Sequence, residues 1–225
     1  MKPSTFVQVL FVLFLLTESI YGHTLLQRYS GGSYRPVLIS VTPTSGNTRH
    51  DFVHWEAATT IHMGVNSSRL EGFLGSYVSS QVSVAMASWQ NVTSAYINFN
   101  NDGSTSTVVA DDQTNVVYWE NDFENGPGMD LTAYGLAVTW ITINSNQELV
   151  QADVVLNGIM EWAETSYYVE SPGYWVLGIR EVVTHELGHV LGIGHTDMLD
   201  PYHEIVMNYL FPHANGVLNQ DDEMQ

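Results

Sequence analysis

Polar and apolar positions change period several times along the 225 residues, and each change predicts an element. Phe6 to Leu16 is apolar throughout except for Gln8, and it is too short for a helix that spans a bilayer. Residues 23 to 51 are rich in Gly, Ser, Thr and Pro, without helical periodicity, and read as an arm. Thr59 to Val65 alternates as a first strand does. In Leu70 to Gln90 the apolar residues Val78, Val82, Met86 and Trp89 recur every three or four positions, which predicts one buried face of a helix. Val108-Val109, Val116 to Trp119, Leu136 to Ile143 and Ala152 to Leu156 are β-branched or aromatic runs that predict strands. Tyr174 to Leu191 carries a second helix. The alternation predicts one α/β (α+β) domain, with no internal repeat.

The first 22 residues combine Lys2, the apolar run and a small-residue ending, Thr17-Glu18-Ser19-Ile20-Tyr21-Gly22. That order is the pattern of a secretory signal peptide. The expected organisation is therefore 1–22 signal peptide, 23–51 leader arm or short pro-segment, and 52–225 main folded domain. The chain has no cysteine, so a secreted form depends on its core and bound metals rather than on disulfides. Six Lys and Arg face 24 Asp and Glu, for a net charge of −18. Residues 1–22 hold one charge of each sign, so the mature chain keeps that balance. Such a surface repels nucleic acid and anionic membranes and concentrates divalent cations. No nucleic-acid partner is expected, and no membrane insertion after signal removal.

The chemistry concentrates in residues 185 to 195, His-Glu-Leu-Gly-His-Val-Leu-Gly-Ile-Gly-His. On a helix, His185 and His189 project from one face a turn apart, so their ring nitrogens converge on one ion. Glu186 is rotated away from that ligand set and reaches a water beside the metal instead. Gly192 follows the last full turn, where positive φ stops a helix, and the reversal swings His195 back as a third ligand. Three histidines leave a fourth tetrahedral position open, which distinguishes a catalytic zinc from a closed structural one.

The pattern HExxHxxGxxH, with Met207 twelve residues further on in Ile205-Val206-Met207-Asn208-Tyr209, resembles the signature of the metzincin metallopeptidases. Within that clan the chain is most similar to the matrixins, the matrix metalloproteinase-like family. Ala85 to Trp89 resembles their early Ala-x-x-x-Trp helix, Ala95 to Phe99 the strand after it, and Val217 to Asp222 the start of their last helix. Phe123 to Gly128 resembles the loop before their substrate-facing edge strand, which places that strand at Gly135 to Thr139. The resemblance runs from about residue 52 to residue 225. It implies a twisted, mostly parallel sheet with an antiparallel edge strand, an active-site helix and a methionine turn under the metal.

It also implies a secreted zinc-dependent endopeptidase acting on protein or peptide, expected as a monomer. Zn2+ would be held by His185, His189 and His195, with Glu186 as general base. Oxygens in residues 123–128, with Asp130, Asp153 and Asn157, are hard ligands of the kind Ca2+ takes, although such loops are also ordinary turns. No histidine lies between His62 and His185, so the second, structural zinc of matrixins is not expected. Two departures stand out. Thr196-Asp197 replaces the Ser that matrixins carry after the third His, and the propeptide cysteine that keeps many of them latent has no counterpart. Met207-Asn208-Tyr209 also resembles the Met-x-Tyr of astacins and serralysins, and Tyr209 is read here as a packed wall residue. His23, His50, His54, His62, His203 and His213 lack ligand spacing. The competing readings are a zinc hydrolase with non-peptide substrates and a zinc-bearing binding or adhesion module without turnover, against which the retained Glu186 argues.

Overall fold

β-branched runs build a sheet, and two helices pack against it. A computed structural model describes residues 7–12, 26–30, 33–37, 54–56, 59–70, 75–92, 98–108, 113–121, 136–144, 148–170, 174–193 and 206–207. In chain order the elements are β1 (Val7–Val12), β2 (Leu26–Ser30), β3 (Ser33–Val37), β4 (His54–Trp55) and β5 (Thr60–Asn66). They continue with α1 (Gly75–Gln90), β6 (Asn98–Ser104), β7 (Asn115–Glu120), β8 (Ala137–Ile143) and β9 (Glu148–Asn157). Last come β10 (Trp162–Ala163), β11 (Tyr167–Val169), β12 (Tyr174–Gly178) and α2 (Ile179–Val190). Among the described residues no helix is long and apolar enough to cross a membrane.

Five strands of the main sheet run in the order β8-β9-β7-β5-β6. β6, β5, β7 and β9 run parallel to their neighbours, and β8 alone runs antiparallel, on β9. This is the mostly parallel sheet with an antiparallel strand that the sequence implies. β7 and β9 lie inside it and are buried almost without alternation, as strands covered on both faces are. The two-residue β4 adds to β9 in parallel. Val108, expected in a strand, lies outside one and is exposed.

In the full-length chain the N-terminal segments add strands to this sheet. The apolar run read as a signal core supplies β1, which pairs antiparallel with β8 from Val7 opposite Ile143 to Val12 opposite Val138. Within the arm at residues 23–51 lies the hairpin β2–β3, with β2 beside β1. In the full-length chain, then, β8 is not the outer edge. The physical reason is that a strand with a row of unpaired N–H and C=O groups recruits any extended apolar segment within reach.

Helix α1 buries Val78, Val82, Ala85, Met86 and Trp89, the face its periodicity predicts. Burial of side chains this size stabilises by roughly 1.5–3 kcal/mol each for the larger ones. The Trp89 ring crosses to α2, where its Nε1 donates to the Thr184 carbonyl at 2.8 Å. Trp55 Nε1 donates to the Val190 carbonyl at 2.8 Å, at the other end of the same helix. Two indoles thus fix α2 along its length. Tyr174–Gly178, expected as the lead-in to the helix, is instead strand β12, paired with β10 and β11. It stops where α2 begins, at Gly178, whose N–H donates to Ser166 Oγ at 2.7 Å.

Candidate metal and catalytic site

From Glu181 to Val190 every residue of α2 is buried, including His185, Glu186 and His189. Three ionisable groups inside a core need partners or a bound ion, and the surrounding backbone supplies the first of these. His185 Nδ1 is 2.6 Å from the carbonyl of Val206, and His189 Nδ1 is 2.8 Å from the carbonyl of Ile193. A carbonyl only accepts, so each Nδ1 carries a proton, and in a neutral ring that leaves the lone pair on Nε2. The two rings lie with centroids 4.8 Å apart and planes at 88°. Burial pushes the His185 imidazole down to about 4, against a smaller upward pull from the Val206 carbonyl. It is neutral at pH 7, as a metal ligand must be.

The Ile193 acceptor exists because of how α2 ends. Gly192 has φ +86°, the left-handed conformation that glycine adopts without a Cβ penalty. The Ile193 N–H donates to Gly188 O and the Gly192 N–H to His189 O, each at 2.9 Å. That pair of bonds is a Schellman turn, which satisfies the last carbonyls and reverses the chain. The stop predicted at Gly192 is present. His195, three residues on, lies outside the described residues, as do Tyr209, His203 and His213.

Met207 is fully buried under the helix. A methyl group added at Gly188 would collide with Met207 Sδ and lie 2.9 Å from both Met207 Cε and Trp89 Cζ2. The glycine between Glu186 and His189 therefore lets the turn at Val206-Met207 close against α2, and that turn brings the Val206 carbonyl to His185.

Glu186 completes the group. Thr139 Oγ1 donates to its Oε2 at 2.6 Å, while its Oε1 is buried with no protein partner. Burial pushes the carboxyl up to about 8, with the Thr139 bond pulling it back. An adjacent cation favours the ionised form and would bring it down again. An orphaned carboxylate oxygen on the same helix as two imidazoles whose Nδ1 atoms face backbone carbonyls suits a divalent cation with a water in reach, and zinc in particular takes nitrogen donors of this kind. Among the described residues no three His, Asp or Glu side chains are grouped as a metal site, and the third imidazole of the motif lies beyond them.

The oxygens suggested for calcium divide. Asp153 accepts from the Val116 N–H at 3.0 Å and from Gln151 Nε2 at 2.9 Å, and Asn157 Oδ1 accepts from the Ile159 N–H at 3.2 Å. Those two side chains brace the sheet. Residues 123–128 and Asp130 lie outside the described residues. His62 meets Asp102 at 2.8 Å on an exposed part of the sheet, in keeping with a surface role. Sequence reasoning missed Thr139, Val206 and Ile193 as functional positions. Two of them act through backbone carbonyls, which no residue type signals.

Compared with known families, residues 54–225 match the family model described as Matrixin. No curated protein matches the chain.

Proposed function

The chain belongs to the matrixin family of zinc metallopeptidases, and from that premise we propose that it is a secreted endopeptidase with His185, His189 and His195 as zinc ligands and Glu186 as general base. The observation that carries this reading is the asymmetry at α2. Both described imidazoles spend Nδ1 on a backbone carbonyl, and the neighbouring carboxylate leaves one buried oxygen without a protein partner. Backbone acceptors of this sort fix the tautomer and orientation of metal-binding histidines. Zinc held there supplies Lewis acidity toward the scissile carbonyl and lowers the pKa of water near it. Glu186 takes the proton from the attacking water through Oε1 and passes it to the departing amine. Calcium, if the protein takes it, draws on residues 123–128 and Asp130 rather than on Asp153 or Asn157.

The test is a mixed peptide library incubated with the purified protein, with and without a zinc chelator. Internal cleavages that the chelator abolishes are expected. An absence of cleavage across the library would overturn the peptidase reading.

Residues 1–22 are proposed to be the export signal, with the mature N-terminus between about residues 19 and 24. Their removal takes β1 from β8 and frees six backbone positions, Val138 to Ile143. An extended substrate gains backbone hydrogen bonds by lying along such an edge. Six cross-strand pairs at about 0.2–1 kcal/mol each reach the roughly 1.4 kcal/mol of a tenfold change. A chain beginning at residue 23 is therefore expected to cleave an extended peptide at least about tenfold more efficiently than the full-length chain. Equal kcat/KM for the two would remove β8 as the substrate edge, and Met1 intact on protein from the host's medium would remove the export reading.

A further inference from the structure

Thr139 and Glu186 are 47 residues apart in sequence and sit on different elements, β8 and α2, yet their side chains meet at 2.6 Å. Thr139 is wholly buried, on the same side of β8 as Ala137 and Ile141, which belong to the core under α2. The paired strand β9 holds its backbone, with Thr139 opposite Val154. Its hydroxyl also lies 3.2 Å from the Glu186 carbonyl. One hydroxyl has one proton, and the shorter contact to Oε2 takes it. The two oxygens of Glu186 are therefore unlike: one is anchored to the sheet, and the other is buried without a protein partner.

We infer that Thr139 is a positioning residue for the general base. By holding Oε2, it fixes the rotation of the carboxylate so that Oε1 faces the reacting water. This inference rests on Glu186 being the base. A glutamate side chain has three rotatable bonds, whereas a buried β-branched threonine on a strand held by β9 has little freedom at χ1. The sheet thus lends its rigidity to a flexible group on the helix. A base must sit within hydrogen-bond reach of the proton it removes, and a misplacement of about 1 Å costs on the order of a hundredfold in rate.

The experiment compares Thr139→Val, which keeps the shape and loses the hydroxyl, with Thr139→Ser, which keeps the hydroxyl. Zinc content, Tm, kcat and KM are measured for both, and crystal structures of zinc-loaded wild type and Thr139→Val are compared. Thr139→Val is expected to retain about one zinc per chain and its KM, while kcat falls roughly ten- to a hundredfold. Its Glu186 carboxylate should be rotated or spread over more than one rotamer. Thr139→Ser should recover most of kcat. In a Glu186→Gln background, Thr139→Val should cost nothing further, because coupled residues are not additive.

An unchanged kcat in folded Thr139→Val, or a loss that Thr139→Ser does not rescue, overturns the proposal. If valine prevents folding, Thr139→Cys, a weak donor of similar size, takes its place. If wild type cleaves no peptide, the peptidase reading fails by itself. The crystal structures then decide on Thr139, and an unmoved Glu186 carboxylate in Thr139→Val overturns its role.

Discussion

Glu186→Gln is expected to keep zinc near one per chain while peptide hydrolysis falls by at least about a hundredfold, the scale of a lost general base. Glutamine preserves the length and shape of the side chain, and neither described imidazole depends on it, since each is held by a backbone carbonyl. Thr139 can still donate to the amide oxygen. What disappears is the capacity of Oε1 to accept a proton. His189→Ala is expected to fail differently: the metal is lost, and with it whatever stability the metal gives the fold. A second readout separates the two changes in metal-free protein. Burial raises the Glu186 carboxyl from 4.5 to about 8, so the metal-free wild type has this group's full stability below about pH 4.5 and loses it as pH rises through 8. Glu186→Gln removes that loss. The measurements are zinc per chain, turnover on a broad peptide set, and thermal denaturation across pH with chelator present. A wild type that binds zinc but matches Glu186→Gln in every assay would make the protein a zinc-bearing module without turnover.

The parts of this fold legible in the sequence are those where one local rule sufficed. Val78, Val82, Met86 and Trp89 share a helix face because 3.6 residues make a turn, and that face is buried. Gly192 stops α2 because the Schellman turn needs a residue that tolerates positive φ. β7, β8 and β9 are rich in β-branched and aromatic residues because nearly every position in them is buried. Illegible parts depend on partners far along the chain. Phe6 to Leu16 has the composition of an export signal, and in the full-length chain part of it also pairs as a strand, which a short apolar run has no period to announce. Only the open side of β8, over a hundred residues later, makes Val7–Val12 a strand. Tyr174–Gly178 reads as the approach to a helix because its pairing with β10 and β11 leaves no local mark. Thr139 resembles any other threonine in a β-branched run. Its meaning comes from the register of β8 on β9, which sets it opposite Val154 and under Glu186.

The same distinction bears on Gly192, whose replacement by valine is expected to cost both metal and stability. At φ +86°, a β-branched side chain is strained by about 1–3 kcal/mol, which for a chain of this size lowers Tm by roughly 2–4 °C per kcal/mol. The larger consequence is geometric. If valine pulls residue 192 back to negative φ, the Ile193 N–H leaves Gly188 O, and the Ile193 carbonyl leaves His189 Nδ1. His189 then loses the acceptor that fixes its tautomer, a change of the kind that costs about ten- to a hundredfold in metal affinity. The chain also leaves α2 in a new direction, which would carry the proposed third ligand, His195, away from the other two. Gly192→Asn is the control, because asparagine tolerates the left-handed region far better than valine. It should keep most of the affinity at a small cost in Tm. Zinc affinity by competition with a chelator, measured beside Tm, reads both effects, and a Gly192→Val protein with wild-type affinity would show that the turn does not govern the metal ligands.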